Sequence, residues 1–95
     1  IRKMIVEVLY FAEFKDITGK EKEKFQLSKN NLRELIDILL DKYPVKNLLW
    51  DDKTQKVHNL ISIIINNRAI NEKDLQIVDL NDGDTVAFLM PVSGG

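Results

Sequence analysis

Over Met4 to Phe11 the chain alternates: Val6, Val8 and Tyr10 share one face, and Ile5, Glu7, Leu9 and Phe11 share the other. A two-residue period in a β-branched, aromatic run predicts a strand buried on at least one side. Ala12 to Lys20 contains Gly19 and reads as a connection, after which Phe25 and Leu27 alternate with Lys24 and Gln26. A second strand over Glu23 to Leu27 would complete a hairpin. The charges of Lys20 to Lys24 alternate in sign, as in a solvated turn leading into a guarded edge strand. After Asn31 the period changes, with Leu32, Leu35, Ile36, Leu39 and Leu40 at helical spacing up to Lys42. Asn31 followed three residues later by Glu34 gives a capping-box-like start, and Pro44 stops the ladder.

Val45 to Lys56 is less regular. Leu48, Leu49 and Trp50 predict a short helical turn with Trp50 as a cover over the core, and 51–55 predict an exposed loop. Leu60 to Ile65 is the most strand-like run, with Ile61, Ile63 and Ile65 facing one way and Leu60, Ser62 and Ile64 the other. Asn66-Asn67 accepts left-handed backbone, so Arg68 to Ile70 returns as a short strand. A second turn at Asn81-Asp82-Gly83-Asp84 leads to a last strand over Thr85 to Met90, with Val86 and Phe88 on one face and Ala87 and Leu89 on the other. Strands on both sides of one main helix predict an α+β fold, a mixed four- to five-stranded sheet with that helix on one face. The expected organisation is a domain at 4–90, a tag remnant or disordered start at 1–3, and a flexible diglycine tail at 91–95.

Ninety-five residues suit one small domain with its own core. The chain has no cysteine, which removes disulfides, thiolate metal sites and a cysteine nucleophile. With 14 basic and 15 acidic residues the net charge is −1, so no long-range field draws it to nucleic acid or to an anionic membrane. No apolar run is long enough to span a bilayer, and no signal-peptide pattern is visible; a cytoplasmic protein is expected.

Few side chains offer chemistry. His58 lacks a spaced partner for a metal site or a nucleophile relay and reads as a loop histidine. Asp82 and Asp84 flank Gly83, where turn chemistry explains them, and Gly19 and Gly83 are too isolated for a phosphate loop. By elimination the reactive group is the carboxylate of Gly95. A Gly-Gly ending occurs by chance in about 0.5% of chains at ordinary glycine usage. Two glycines make a thin peptide that can enter a narrow slot, and a carboxyl with a reference pKa of roughly 3.3 to 3.7 is ionised at neutral pH. Placed by an enzyme against the α-phosphate of ATP, it could form an acyl adenylate open to attack by sulfur or by an amine. Ala87 and Leu89, with Leu60 and Ile64 if their strand lies alongside, would form an apolar docking patch on the sheet face away from the helix. The competing reading has the loop around Trp50 cover that face.

The run Val8-Leu9-Tyr10-Phe11-Ala12 with Gly19, and the run Asp82 to Leu89 followed by Pro91-Val92-Ser93-Gly94-Gly95, resemble the ubiquitin-like β-grasp sulfur carriers, most closely the molybdopterin synthase small-subunit (MoaD) branch. Met90 stands where that family usually has a second proline, and 45–59 is longer than in compact members. The resemblance implies a carrier without autonomous catalysis or a stably bound cofactor. An E1-like (MoeB-like) enzyme would use MgATP to adenylate Gly95, and a sulfur donor enzyme would convert it to a C-terminal thiocarboxylate. Gly94 and Ser93 would thread a channel in the molybdopterin synthase large subunit (MoaE-like), with Pro91 and Val92 setting the exit direction. Leu89 and Ala87 would contact the partner, and Lys15 would add an ion pair. A ubiquitin-like protein modifier and carriers for thiazole synthesis or tRNA thiolation share the tail and remain open, as does a purely structural binding module.

Overall fold

The computed structural model describes residues 4–90; the readings at 1–3 and at Pro91 to Gly95 lie outside the described residues. In chain order the elements are β1 (Met4–Leu9), α1 (Ala12–Thr18), β2 (Lys22–Leu27), α2 (Leu32–Lys42), α3 (Lys46–Leu49), β3 (Trp50–Asp51), β4 (Lys56–Val57), β5 (Ser62–Ile65), β6 (Arg68–Ile70), a 3-10 turn at Leu75–Ile77, and β7 (Thr85–Leu89). Five strands form one sheet in the order β2-β1-β7-β5-β6, and β3 and β4 form a separate pair. The two central strands, β1 and β7, run parallel; their other neighbours are antiparallel.

The alternation seen in the sequence sets the layers. Val6, Val8, Val86 and Phe88 turn to one face, where they are buried in one cluster with Leu32, Leu35, Ile36 and Leu39 of α2. The α2 start is capped as its sequence indicates, with Asn31 Oδ1 accepting from the Glu34 amide at 2.9 Å. The Glu34 carboxylate reaches back to the Lys29 amide and the Ser28 hydroxyl, so it ties the preceding loop to the helix. Asn66 and Asn67 have φ of 50° and 70°, the left-handed pair that a two-residue hairpin turn needs. The Asn66 side chain also bonds Asp84 and the Thr85 amide, which fixes this hairpin to the start of β7.

The structure departs from the sequence reading in three places. Ala12 to Lys20 is not an open connection but carries α1, closed by Gly19 at φ 72°. Its drive is tertiary: Phe14 is buried, with its ring 6.1 Å from that of Phe88, whereas Phe11 provides no side-chain cap. The strand expected over Leu60 to Ile65 begins at Ser62, because the Ile61 amide bonds the His58 carbonyl in a turn. Charged Lys20 to Lys24 is not wholly solvated, since Glu23 lies on the inward face of β2 with its side chain only 11% exposed.

Glu23 accepts from the Tyr10 and Tyr43 hydroxyls at 2.9 and 2.6 Å and from Lys20 at 3.0 Å, and Lys42 also bonds it. Burial alone would push this carboxyl up, but donation by Lys42, Tyr43, Lys20 and Tyr10 outweighs it and brings it from 4.5 down to about 2. Burial, reinforced by Glu23, pushes the Tyr10 hydroxyl far above its ordinary value. A carboxyl depressed on folding stabilises the fold above its unfolded pKa and loses that contribution as pH falls through its folded one. Glu23→Gln should therefore cost on the order of 3 kcal/mol at neutral pH. In urea titrations the gap to the unsubstituted protein should narrow as pH drops from about 4.5 toward 2. A gap independent of pH would sink this assignment.

Candidate functional site: the open sheet face at the end of β7

Strand parity gives β7 two roles. Val86 and Phe88 close the core, so Ala87 and Leu89 must project from the opposite face. Ala87 sits between Leu9 of β1 and Ile64 of β5 and is buried to 7% exposure by these neighbours although α2 lies on the other side. Leu89 pairs with Ser62 at the end of β5 and stays 37% exposed. The parallel register places Leu9 beside Ala87, and Phe11, two residues past Leu9 in extended backbone, keeps the outward parity of Leu9. Phe11 is 46% exposed.

A shallow depression of about 220 Å³ lies over Leu9, Ile64, Thr85 and Ala87, bordered by Asn66 and Asn67. Leu60, two residues before β5 and 72% exposed, stands at the same end of the sheet as Leu89. Phe11, Leu89 and Leu60 thus bring three exposed apolar side chains from three segments to the end from which β7 continues toward Pro91. Lys22 and Lys24 project from β2 on the same face, with Lys24 opposite Glu7, so basic groups border the apolar centre. Trp50 leaves this face open: it is buried on the helix side, with the Arg33 guanidinium of α2 4.5 Å from its ring centre.

Ala87, Ile64 and Leu89 therefore share one surface, and Leu60 lies at its end outside the strand. Lys15 is on α1, exposed and paired with Glu21 at 3.1 Å. Pro91, Val92, Ser93, Gly94 and Gly95 lie outside the described residues. Phe11 was not among the residues that the sequence reading assigned to the partner surface, although its parity with Leu9 and its size were available signals. Asp82 and Asp84 serve the turn: Asp82 Oδ1 accepts from the Ile5 amide and Asp84 accepts from the Asn81 amide, each at 2.8 Å. Among the described residues no three His, Cys, Asp or Glu side chains gather at metal-binding distance, and no helix is long and apolar enough to cross a membrane.

A mixed five-stranded sheet with parallel central strands, a helix across one face and an open opposite face define a ubiquitin-like β-grasp protein. The chain belongs to the ThiS family of ubiquitin-like sulfur carriers, whose family model matches residues 8–95. Its fold superposes on that of small archaeal modifier protein 1 from Haloferax volcanii with a TM-score of 0.81, at 22% identity over 96% of this chain and 99% of that one. The small archaeal modifier protein 1 from Methanosarcina acetivorans matches at 26% identity over 99% of both chains, TM-score 0.79. A chain of the complex of subunits 1 and 2 of molybdopterin-converting factor from Helicobacter pylori matches at 32% identity over 97% of this chain and 100% of that one, TM-score 0.62.

Proposed function

We propose that this protein is the sulfur-carrying small subunit of a molybdopterin synthase. The observation that carries this reading is the open apolar face that Ile64 and Phe11 form with Ala87 and Leu89 of β7, the strand that leads in sequence to Pro91-Val92-Ser93-Gly94-Gly95. It is supported by the 32% identity to a chain of a two-subunit molybdopterin-converting factor. In the proposed cycle the face docks and the tail reaches. A Gly95 carboxylate oxygen attacks the α-phosphate of ATP on an E1-like enzyme and expels pyrophosphate. Sulfide from a sulfur donor then displaces AMP and leaves a thiocarboxylate. The large subunit encloses the tail and shields the thiocarboxylate from premature hydrolysis. Its sulfur bonds to a carbon of the pterin precursor, displacing a leaving group there, and one water then cleaves the acyl carbon–sulfur bond, leaving the sulfur on the pterin and the carboxylate on Gly95.

The test is an intact-mass measurement after incubation with an E1-like activating enzyme, MgATP and sulfide. Exchange of one oxygen for sulfur should raise the mass by about 16 Da, and no gain where a control carrier gains it would defeat the carrier reading. A second reading, a ubiquitin-like modifier joined through Gly95 to lysines, is favoured by the 26% identity to an archaeal modifier over 99% of both chains. Affinity capture from cells separates them: a molybdopterin synthase large subunit supports the first, lysine-linked adducts the second. Sulfur delivery to tRNA or to a thiazole would show as thiocarboxylate consumption without either.

A further inference from the structure

A second feature lies on the edge of the sheet, away from the centre of the docking face. A groove of about 480 Å³ runs between Lys56 and Val57 of β4 on one side and Ala69 and Ile70 of β6 on the other. Ile61, Ile63 and Leu75 also line it, and the last two are buried. Both flanking strands are outer strands, since β6 ends the five-stranded sheet and β4 pairs only with β3.

The register tells which backbone groups this edge offers. In a two-residue hairpin the residues flanking the turn, Ile65 and Arg68, form the hydrogen-bonded pair, so the next pair, Ile64 and Ala69, is the non-bonded one. The N–H and C=O of Ala69 therefore point away from β5, toward the edge. Ala69 is exposed and small, so its side chain does not shield them. Such an edge accepts an added strand, with main-chain bonds holding it and side-chain pockets selecting it.

The charges restrict what that strand carries. Lys56 and Lys73 line the groove, and neither takes part in an ion pair among the described residues. The acidic group in the lining, Glu72, has its carboxylate engaged by the backbone amides of Lys73 and Asp74 at 2.8 and 3.4 Å. The geometry points to this groove as the docking site for an extended peptide segment of a partner protein, alternating apolar and acidic residues and added as a strand to β6. The apolar lining and the Ala69 ladder favour peptide over nucleic acid, which would use the lysines alone. Ser62 lines the groove and also pairs with Leu89, but β6 and β5 would both stand between the bound segment and β7, which leaves Leu89 free. The site is separate from the proposed sulfur chemistry and stands or falls without it.

The probe is a capped seven-residue peptide alternating Val or Ile with Asp or Glu, titrated into the ¹⁵N-labelled full chain. Saturable amide shifts are expected at Ala69, Ile70, Asn71 and Lys56. Lys56→Glu combined with Lys73→Glu should weaken binding at least tenfold. Ala69→Pro removes the edge N–H, and because proline is tolerated on edge strands it should abolish binding while leaving the remaining spectrum in place. Absence of saturation at millimolar peptide, shifts centred on Lys22 and Lys24, or equal binding of a peptide with Lys in place of each acid would overturn the proposal. Equal competition by an oligonucleotide would reduce the groove to a general anion surface. Groove shifts caused by deleting residues 91–95 would assign it to the chain's own tail, and shifts caused by protein concentration alone to a second copy; each replaces the proposed partner.

Discussion

Deleting Gly95 is expected to abolish the gain of sulfur mass while leaving both the fold and the affinity for the activating enzyme's docking surface nearly intact. The terminal carboxylate then sits on Gly94, one residue short of the reach the reaction requires, but the core is closed among the described residues between Val6 and Phe88, and Leu89, Phe11 and Ile64 still present their face. Leu89→Asp should give the reverse pattern. It keeps the diglycine and places a carboxylate in the apolar patch, where desolvation without a partner weakens docking by about a hundredfold, the loss of a central interface anchor. Because Leu89 is 37% exposed, the stability cost should stay within about 1 kcal/mol. The pair is read by intact mass together with titration calorimetry against the activating enzyme and the large subunit. If deletion of Gly95 weakens docking as much as Leu89→Asp does, the tail and the face are not separate parts, and the division of labour proposed for them fails.

Phe88→Ala is expected to cause the largest loss of stability among single substitutions, about 3 to 5 kcal/mol. Phe88 is 1% exposed, lies on a central strand and meets Phe14 from α1, so its removal leaves a cavity bounded by elements on both sides. For a domain of this size each kcal/mol shifts Tm by roughly 4 to 8 °C, so a fall of about 12 to 40 °C is anticipated. The α1 amides should lose hydrogen-exchange protection first, because Phe14 is the only fully buried side chain of that helix. A loss below about 1.5 kcal/mol would mean that the site collapses around the deletion and that Phe88 is not the joint between α1 and the sheet.

These contrasts also show which parts of the fold could be read from the residues. β1, α2 and β7 carry a clean period of two or of 3.6, and each buries the face its pattern selects: Val6 and Val8, Leu35 and Ile36, Val86 and Phe88. The parity of β7 was enough to place Ala87 and Leu89 on the outer face. The helix at Ala12–Thr18 was illegible because only Phe14 and Ile17 mark its apolar side, Ala12 adopts φ 50° without a glycine, and its start has no side-chain cap. Its stability comes from a ring of β7 roughly seventy residues away, which no local window contains. Glu23 was hidden for a related reason. Its neighbours Lys22 and Lys24 are exposed, and its partners Tyr10, Lys42 and Tyr43 come from other elements. Leu60 continued the apolar run in the sequence but not the strand, since His58 turns the chain just before it.

The parallel pairing of β1 with β7 has a consequence for the order of events during synthesis. Val8 and Val86 are register partners, and the Ile5 amide is bonded to Asp82, 77 positions later. Until β7 has left the ribosome, β1 has only β2 beside it, and Val6 and Val8 lack their central neighbour. Such long-range closure is slow relative to local hairpins and helices, so the sheet is completed late. The docking face is completed in the same step, because Ala87 and Leu89 belong to the strand that closes it. Under the proposed function, a chain that carries the terminal glycines without that closure would offer the reactive end but no surface by which an enzyme could hold it. On that function, the topology would withhold recognition from chains whose folding is unfinished.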